Sequence, residues 1–250
     1  MPRHITHLLW TGGWDSTFRL LQVVWEKKQA VQPYYLIDPD RPSLSYELRA
    51  MYKIKAVIEA ERPFSANLIQ PTRFWALGDL PVNQTITEQY RRMNTFSEMG
   101  IQYEWLARLA VGSEASRLEL GLQGHDNGMT YWQTKLRENL LPASGEGDVY
   151  RLKDQPDPSD LLMFKQFRFP VLKFTKRDMA QWAVEQQCDH ILAMTWFCHR
   201  PLRGIPCGLC NPCRIVVNDD MAHRLPFISK VRYHVKQLHG YLKGSLQTRN

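Results

Sequence analysis

HLLWTGGWDSTFRLL, residues 7–21, joins an apolar run to an apolar-periodic run through two adjacent glycines. Glycines let backbone amides approach an anion with no Cβ in the way. A helix that starts just after them adds its free N–H groups and its positive end. Ser16 and Thr17 can donate hydroxyl hydrogen bonds to the same anion. Asp15 is acidic, so it reads as a helix cap or as a partner for Mg²⁺. The stretch lacks GxxxxGK[ST] and GxGxxG, so it is neither a Walker loop nor a dinucleotide fingerprint. A bare Gly-Gly turn is the simpler reading, but the strand before and the helix after favour phosphate.

Outward from that turn the pattern is β-α-β-α-β. Residues 4–10 end in apolar residues and read as a strand. Residues 17–28 follow a helical rhythm through Phe18, Leu21, Val24 and Trp25. Residues 31–38 read as a second strand starting just after Pro33. Residues 45–61 read as a helix and 65–70 as a third strand. Such alternation predicts a parallel sheet with right-handed crossovers. Residues 71–100 read as a long irregular connection, 101–111 as a helix and 117–123 as a fourth strand. The stretch 142–158 reads as a loop. Thr175 caps a helix running to about 187, with Asp178 at the capping-box position. Residues 190–196 read as a fifth strand or an extended segment.

The 250 residues suit one large domain or one domain with an appendage, and 44% apolar content permits a real core. No apolar run reaches membrane-spanning length, and the first residues lack a signal-peptide core, so the expected location is the cytoplasm, with no membrane partner. The net charge of +7 and pI near 9.2 favour anionic partners without choosing among them.

Four of the five cysteines fall in C-x8-C-x2-C-x2-C: Cys198, Cys207, Cys210 and Cys213. Without an export signal that clustering predicts a metal site. Four soft thiolates suit tetrahedral Zn²⁺ with no open position, and an iron–sulfur cluster is the alternative. The metal is expected to stabilise the C-terminal segment, remote from the chemistry. Cys188 reads as a small buried apolar residue. The chain divides on this reading into an α/β nucleotide-binding domain at 1–196 and a metal-binding segment at 197–250.

The glycine stretch resembles the PP-loop, SGGxDS[ST], of ATP pyrophosphatases, with Thr11 in place of the usual serine and Trp14 at the free position. Paired with the cysteine spacing, it resembles the 7-cyano-7-deazaguanine (preQ0) synthase family of the queuosine pathway. That resemblance implies an adenine-nucleotide alpha-hydrolase-like fold, with a parallel sheet flanked by helices and a C-terminal four-cysteine zinc segment. It implies ATP and Mg²⁺ held by Trp10, Thr11, Gly12, Gly13, Trp14, Asp15, Ser16, Thr17 and Arg41, with Asp15, Ser16 and Lys176 catalytic. Arg41 and Glu47 resemble the family's Arg and Glu after the second strand. The stretch 169–183 resembles its PLxxLxKxExxxLA segment, which carries Lys176 and Asp178.

Two family motifs are missing. The region of PGRN reads SEMGIQ (97–102), and that of DxSGYPDC reads GHDNGMTYW (124–132). Gln102, Asp126 and Tyr131 are the residues these regions offer to a substrate. The expected reaction is therefore ATP-dependent activation of a carboxylate, forming AMP and pyrophosphate, followed by attack of ammonia or an amine. The amine could belong to a protein or a nucleic acid, and a homodimer fits the reading. A true preQ0 synthase and a non-catalytic nucleotide sensor are the alternatives.

Overall fold

A computed structural model of the chain describes residues 5–115, 117–123, 129–219 and 221–247, with side chains as far as residue 238. Its strands are β1 (Ile5–Leu9), β2 (Ala30–Ile37), β3 (Arg73–Ala76), β4 (Leu118–Glu119), β5 (Leu140–Pro142), β6 (Tyr150–Leu152) and β7 (Phe167–Phe169). The helices are α1 (Trp14–Leu21), α2 (Leu44–Glu61), α3 (Gln84–Phe96), α4 (Gln102–Gly112), α5 (Tyr131–Glu138), α6 (Lys176–Glu185), α7 (Asp189–Ala193), α8 (Asn211–Asn218) and α9 (Phe227–Gln247).

The strands form one sheet in the order β3-β2-β1-β4-β7-β6-β5. The first five in that order pair parallel, and β6 and β5 close the far edge antiparallel. The protein is thus α/β, with a mostly parallel sheet covered on both faces. Alternation along the strands sorts the core. Leu8, Val31 and Tyr35 face α1, α2, α6 and α7, where Phe18, Ile54, Met179 and Ile191 meet them. Leu9, Tyr34 and Leu118 face α3, α4 and α5, against Tyr90, Leu109 and Trp132. No helix among the described residues is long and apolar enough to cross a membrane.

Several elements differ from the sequence pattern. Residues Pro63–Asn67 turn as a 3-10 helix, and only Ile69 of the expected third strand bridges β2, at Val31. The third strand is Arg73–Ala76, which together with α3 orders the stretch expected to be irregular. Residues 190–196 form no strand. Asp189–Ala193 is a helical turn that buries Ile191 and Leu192. Within the expected loop 142–158 runs β6.

Pro33 lies inside β2 rather than before it, opposite Leu8. Val31 donates its amide outward to the Leu68 carbonyl. Two residues on, a Pro33 amide would point the same way, so the β1 side loses nothing. The first helix starts at Trp14 and passes into a π turn over Gln22–Glu26, where Lys27 N bonds Gln22 O.

Candidate functional site

β1 is flanked by β2 on one side and β4 on the other, so the strand order reverses at its carboxyl end. Open α/β sheets bind ligands at such a switch point. The glycine turn sits there. Gly12 has φ +67°, and a Cβ on it would lie 3.0 Å from Met51 Cγ and 3.2 Å from the Glu47 carbonyl. Its own carbonyl accepts from the Trp196 amide at 2.9 Å. Gly13 is the N-cap of α1 and carries no side chain to satisfy the helix's first amides. Those of Trp14, Asp15 and Ser16 have no acceptor within the helix, as helix geometry requires. Ser16 Oγ makes two long contacts, from Thr11 N at 3.4 Å and to Gly13 O at 3.3 Å.

Gly13 and Ser16 border a cleft of about 340 Å³, with Gly12 buried against α2 behind them rather than on the wall, a volume within the range of small-molecule sites. Thr11, Gly13, Trp14, Asp15, Ser16, Arg41, Gln102 and Lys176 all line it. Lys176 is the first residue of α6. The Thr175–Asp178 capping box fixes that helix start, and the Lys176 ammonium pairs with the Asp15 carboxylate, 161 residues away in sequence. Opposite stands Glu47, buried, accepting from Tyr35 Oη at 2.9 Å and Ser43 Oγ at 2.6 Å and facing Arg41 Nε at 3.3 Å. Burial, and then the negative charge of Glu47, push the Tyr35 phenol well above its ordinary range. Tyr103, beside Gln102 on the wall, is pushed up to about 12 by burial.

Trp10 and Thr17 do not reach the cleft. Both are buried, and the Trp10 indole donates to Thr17 Oγ1 at 3.1 Å, so they form the floor beneath the turn. Tyr131 begins α5 with its ring against Phe96 and is not on the cleft wall. Asp126 lies outside the described residues.

Two features went unread in the sequence. Arg19 and Glu119 form a buried fork-on-fork pair, Nε to Oε2 at 2.8 Å and Nη2 to Oε1 at 2.7 Å, tying α1 to β4. The signal was there: each is a lone charge inside an apolar run, FRLL (18–21) and LELGL (118–122). Gly121, just past Glu119, passes so near the turn that a Cβ there would meet Asp15 Cβ at 3.3 Å. The second feature is Arg224, which also lines the cleft. Its Nη2 donates to Thr195 O and Oγ1 at 2.6 and 2.7 Å, and its guanidinium lies 4.9 Å from the Trp14 ring and 4.8 Å from that of Phe197. Burial lowers its pKa to about 10, which leaves it charged at neutral pH. Nothing in HRLP (223–226) marks it from sequence.

The four cysteine sulfurs lie within 4.8 Å of one another. The Cys207–Cys213 and Cys198–Cys210 separations are both 3.9 Å. Tetrahedral bonds of about 2.3 Å require sulfurs roughly 3.8 Å apart, so the set could hold a metal ion and is consistent with zinc. Backbone amides already point at sulfur, from Cys207 to Cys198 Sγ and from Leu209 and Cys210 to Cys207 Sγ. Hydrogen bonds from Cys198 and Cys213 push the Cys210 thiol strongly down and raise those two thiols in turn, so the sulfurs are close enough to share protons. The cluster stands nearer the cleft than its spacing suggested, because Pro212, Ile215 and Val216 of α8 line the cleft wall. Cys188 is buried outside the set, and burial pushes its thiol up to about 12.

No protein-family model matches the chain, and no curated protein matches it.

Proposed function

We propose that the protein is an ATP-dependent ligase of the PP-loop type, related to the preQ0 synthases, that activates a carboxylate and passes it to a nitrogen nucleophile. The observation that carries this reading is the strand–Gly12-Gly13–helix turn at the sheet's switch point, with Lys176 brought onto Asp15 beside it. A triphosphate over residues 12–17 would meet the first amides of α1, the Ser16 hydroxyl and the Lys176 ammonium. A carboxylate oxygen of the acid attacks the α-phosphorus, the bond to the bridging oxygen breaks, and pyrophosphate leaves with the electron pair. The amine then attacks the acyl carbon and AMP departs.

Charge grows on the leaving pyrophosphate, where preorganised donors act most strongly. Asp15 is a single half-buried carboxylate at the turn, a donor set that fits Mg²⁺ only together with phosphate oxygens. Bound there, Mg²⁺ supplies further neutralisation of the leaving group. Lys176 holds Asp15 in place before nucleotide arrives. The missing PGRN and GYPD motifs favour an acid other than 7-carboxy-7-deazaguanine, or an amine other than ammonia.

The test is pyrophosphate release from ATP and Mg²⁺ with a panel of carboxylic acids that includes 7-carboxy-7-deazaguanine. Acid-dependent release, abolished in Asp15→Ala/Ser16→Ala, is the expected result. Release unchanged in that double variant would refute the assignment. Efficient nitrile formation from 7-carboxy-7-deazaguanine and ammonia, read by mass spectrometry, would identify the chain's chemistry as preQ0 synthesis.

A further inference from the structure

Almost all of the chain's net charge sits at one end. Residues 221–250 hold six Lys and Arg and no Asp or Glu, so of the net +7 the first 220 residues carry only +1. The helix α9 runs through that segment. Its root is fixed to the cysteine segment. Ser229 is buried, its hydroxyl donates to the Pro206 carbonyl, and its backbone lies against Gly208. Beyond the root the helix leaves the body, and all five residues from 234 to 238 are exposed.

α9 is two-sided. Ile228, Val231, Val235 and Leu238 recur at alternating three- and four-residue steps, and Phe227 stands four residues before Val231. Helical geometry gathers these five into one arc of about 100°. All are exposed, Phe227 at 82% and Leu238 at 64%. The sequence continues the same spacing with Leu242. A stripe of this kind normally faces a core, but here it faces outward. Cations border it on both edges, Arg232 and Lys236 on one and Lys230 on the other.

Charge and shape together choose what covers the stripe. A second copy would set these cations against their own kind, because α9 has no acid with which a paired helix could alternate charge. A nucleic acid takes up the cations but leaves an aliphatic stripe in water. An anionic lipid surface offers hydrocarbon and phosphate side by side, along the whole ~30 Å that 21 helical residues span. Lys and Arg stems can lie on the hydrocarbon while their charged ends reach the phosphates.

We propose that α9 is a membrane-surface helix. It lies in the interface of an anionic bilayer, with Phe227, Val231, Val235 and Leu238 in the acyl region and Lys230, Arg232 and Lys236 on the phosphates. Such a helix does not span. The expectation of no membrane partner rested on the lack of a spanning run and of a signal core, and neither weighs against it. Arg224, on the cleft wall, is three residues before α9, so the docked chain holds its cleft within a short reach of the bilayer. The inference is independent of the ligase reading.

The experiment floats the full metal-loaded chain through a density gradient with vesicles. One set is phosphatidylcholine alone, the other phosphatidylcholine and phosphatidylglycerol in equal parts. At low salt the wild type should bind the mixed vesicles at least about tenfold more than the neutral ones, and high salt should remove most of that advantage. Two variants separate the contributions. Val235→Gln/Leu238→Gln keeps the charge and removes the centre of the stripe, and Lys230→Gln/Lys236→Gln does the reverse. Each should cut binding to the mixed vesicles about tenfold, with melting and metal content unchanged.

Equal binding to neutral and mixed vesicles, binding to neither, or binding indifferent to Val235→Gln/Leu238→Gln would overturn the inference. A lipid-free dimer that the same variant splits would give the stripe to a second copy. Tighter retention on poly(U) than on the mixed vesicles would give the cations to nucleic acid. Either of these results overturns it too.

Discussion

Gly12 and Gly208 both stand at positive φ, +67° and +79°, and both press against backbone from a distant helix. Gly12 meets α2 at the Glu47 carbonyl. Gly208 meets α9 at Ser229, whose hydroxyl donates to the Pro206 carbonyl. The surroundings then diverge. Around Gly208 the amides of Cys207, Leu209 and Cys210 are directed onto sulfur. After Gly12 the first amides of α1 have no partner in the helix. One turn is closed upon its own ligands, and the other stands open to something outside the chain. A glycine turn becomes a binding site only when the rest of the fold holds its amides apart from protein acceptors. Here β4, α2 and α6 keep them apart.

The largest effect should come from the closed turn. Cys210→Ala removes one of the four sulfurs that could hold a metal ion, and a structural zinc in such a site would contribute roughly 10–16 kcal/mol of apparent binding energy. Metal content should fall from about one ion per chain to near zero, and hydrogen exchange should rise across α8 and the start of α9. Full retention of metal would break the comparison. Acidification should release the metal as well, because the ligands must be deprotonated.

Next is the brace beneath the open turn. Glu119→Gln leaves Arg19 buried and charged without its partner, which should cost about 3–5 kcal/mol in urea unfolding. The double variant Arg19→Met/Glu119→Leu should recover most of that loss. If the single variant is neutral, β4 does not depend on the pair.

Gly12→Ala should be smaller in stability, roughly 1–3 kcal/mol for a residue strained at positive φ, yet severe for Mg-ATP affinity by calorimetry. Gly145→Ala is the control. It has φ +76°, and a Cβ added there would have no atom within 4 Å, so it tests strain without close approach. Equal effects of the two on nucleotide would mean that the packing of Gly12 on α2 is irrelevant.

The smallest effect concerns the cap that presents Lys176. Thr175→Ala should cost about 1 kcal/mol. The backbone and side-chain hydrogen bonds from Thr175 hold the Asp178 carboxyl below its usual range. A carboxyl lowered by folding stabilises fully above its unfolded pKa, and the gain is lost as pH falls through the folded value. Asp178→Asn should therefore cost stability at neutral pH and nothing in strong acid, as thermal melts at the two pH values would show.

The parts legible in the sequence are those governed by local rules. Strand, Gly-Gly and helix stand in that order because the turn itself demands glycine, and the Thr175 cap and cysteine spacing are equally local. What escaped is what depends on pairing at a distance. β4 through β7 are only two or three residues long and carry too few alternations to be read. The segment 190–196 is apolar enough for a strand, but Asp189–Ala193 coils because it packs on α1 and α2. Among the site residues, Trp10 and Thr17 carry the right chemistry but point into packing, and Tyr131 is exposed with its ring against Phe96, away from the cleft. Arg224 is at the site only because the chain beyond the cysteines folds back over Trp14.

The Arg19–Glu119 pair also bears on how the chain folds. Its members are 100 residues apart, and contacts of such separation form slowly because the loop between them must first be closed. The β1–β2 parallel pair and its crossover helix can assemble from residues made early in synthesis, whereas the switch point exists only once β4 has docked. A nascent chain would therefore carry the glycine turn, exposed on one side, through the synthesis of more than a hundred further residues. Refolding followed at the Arg19 end and at the β1–β2 pair should give two different rates, with the cleft at the switch point appearing at the slower one.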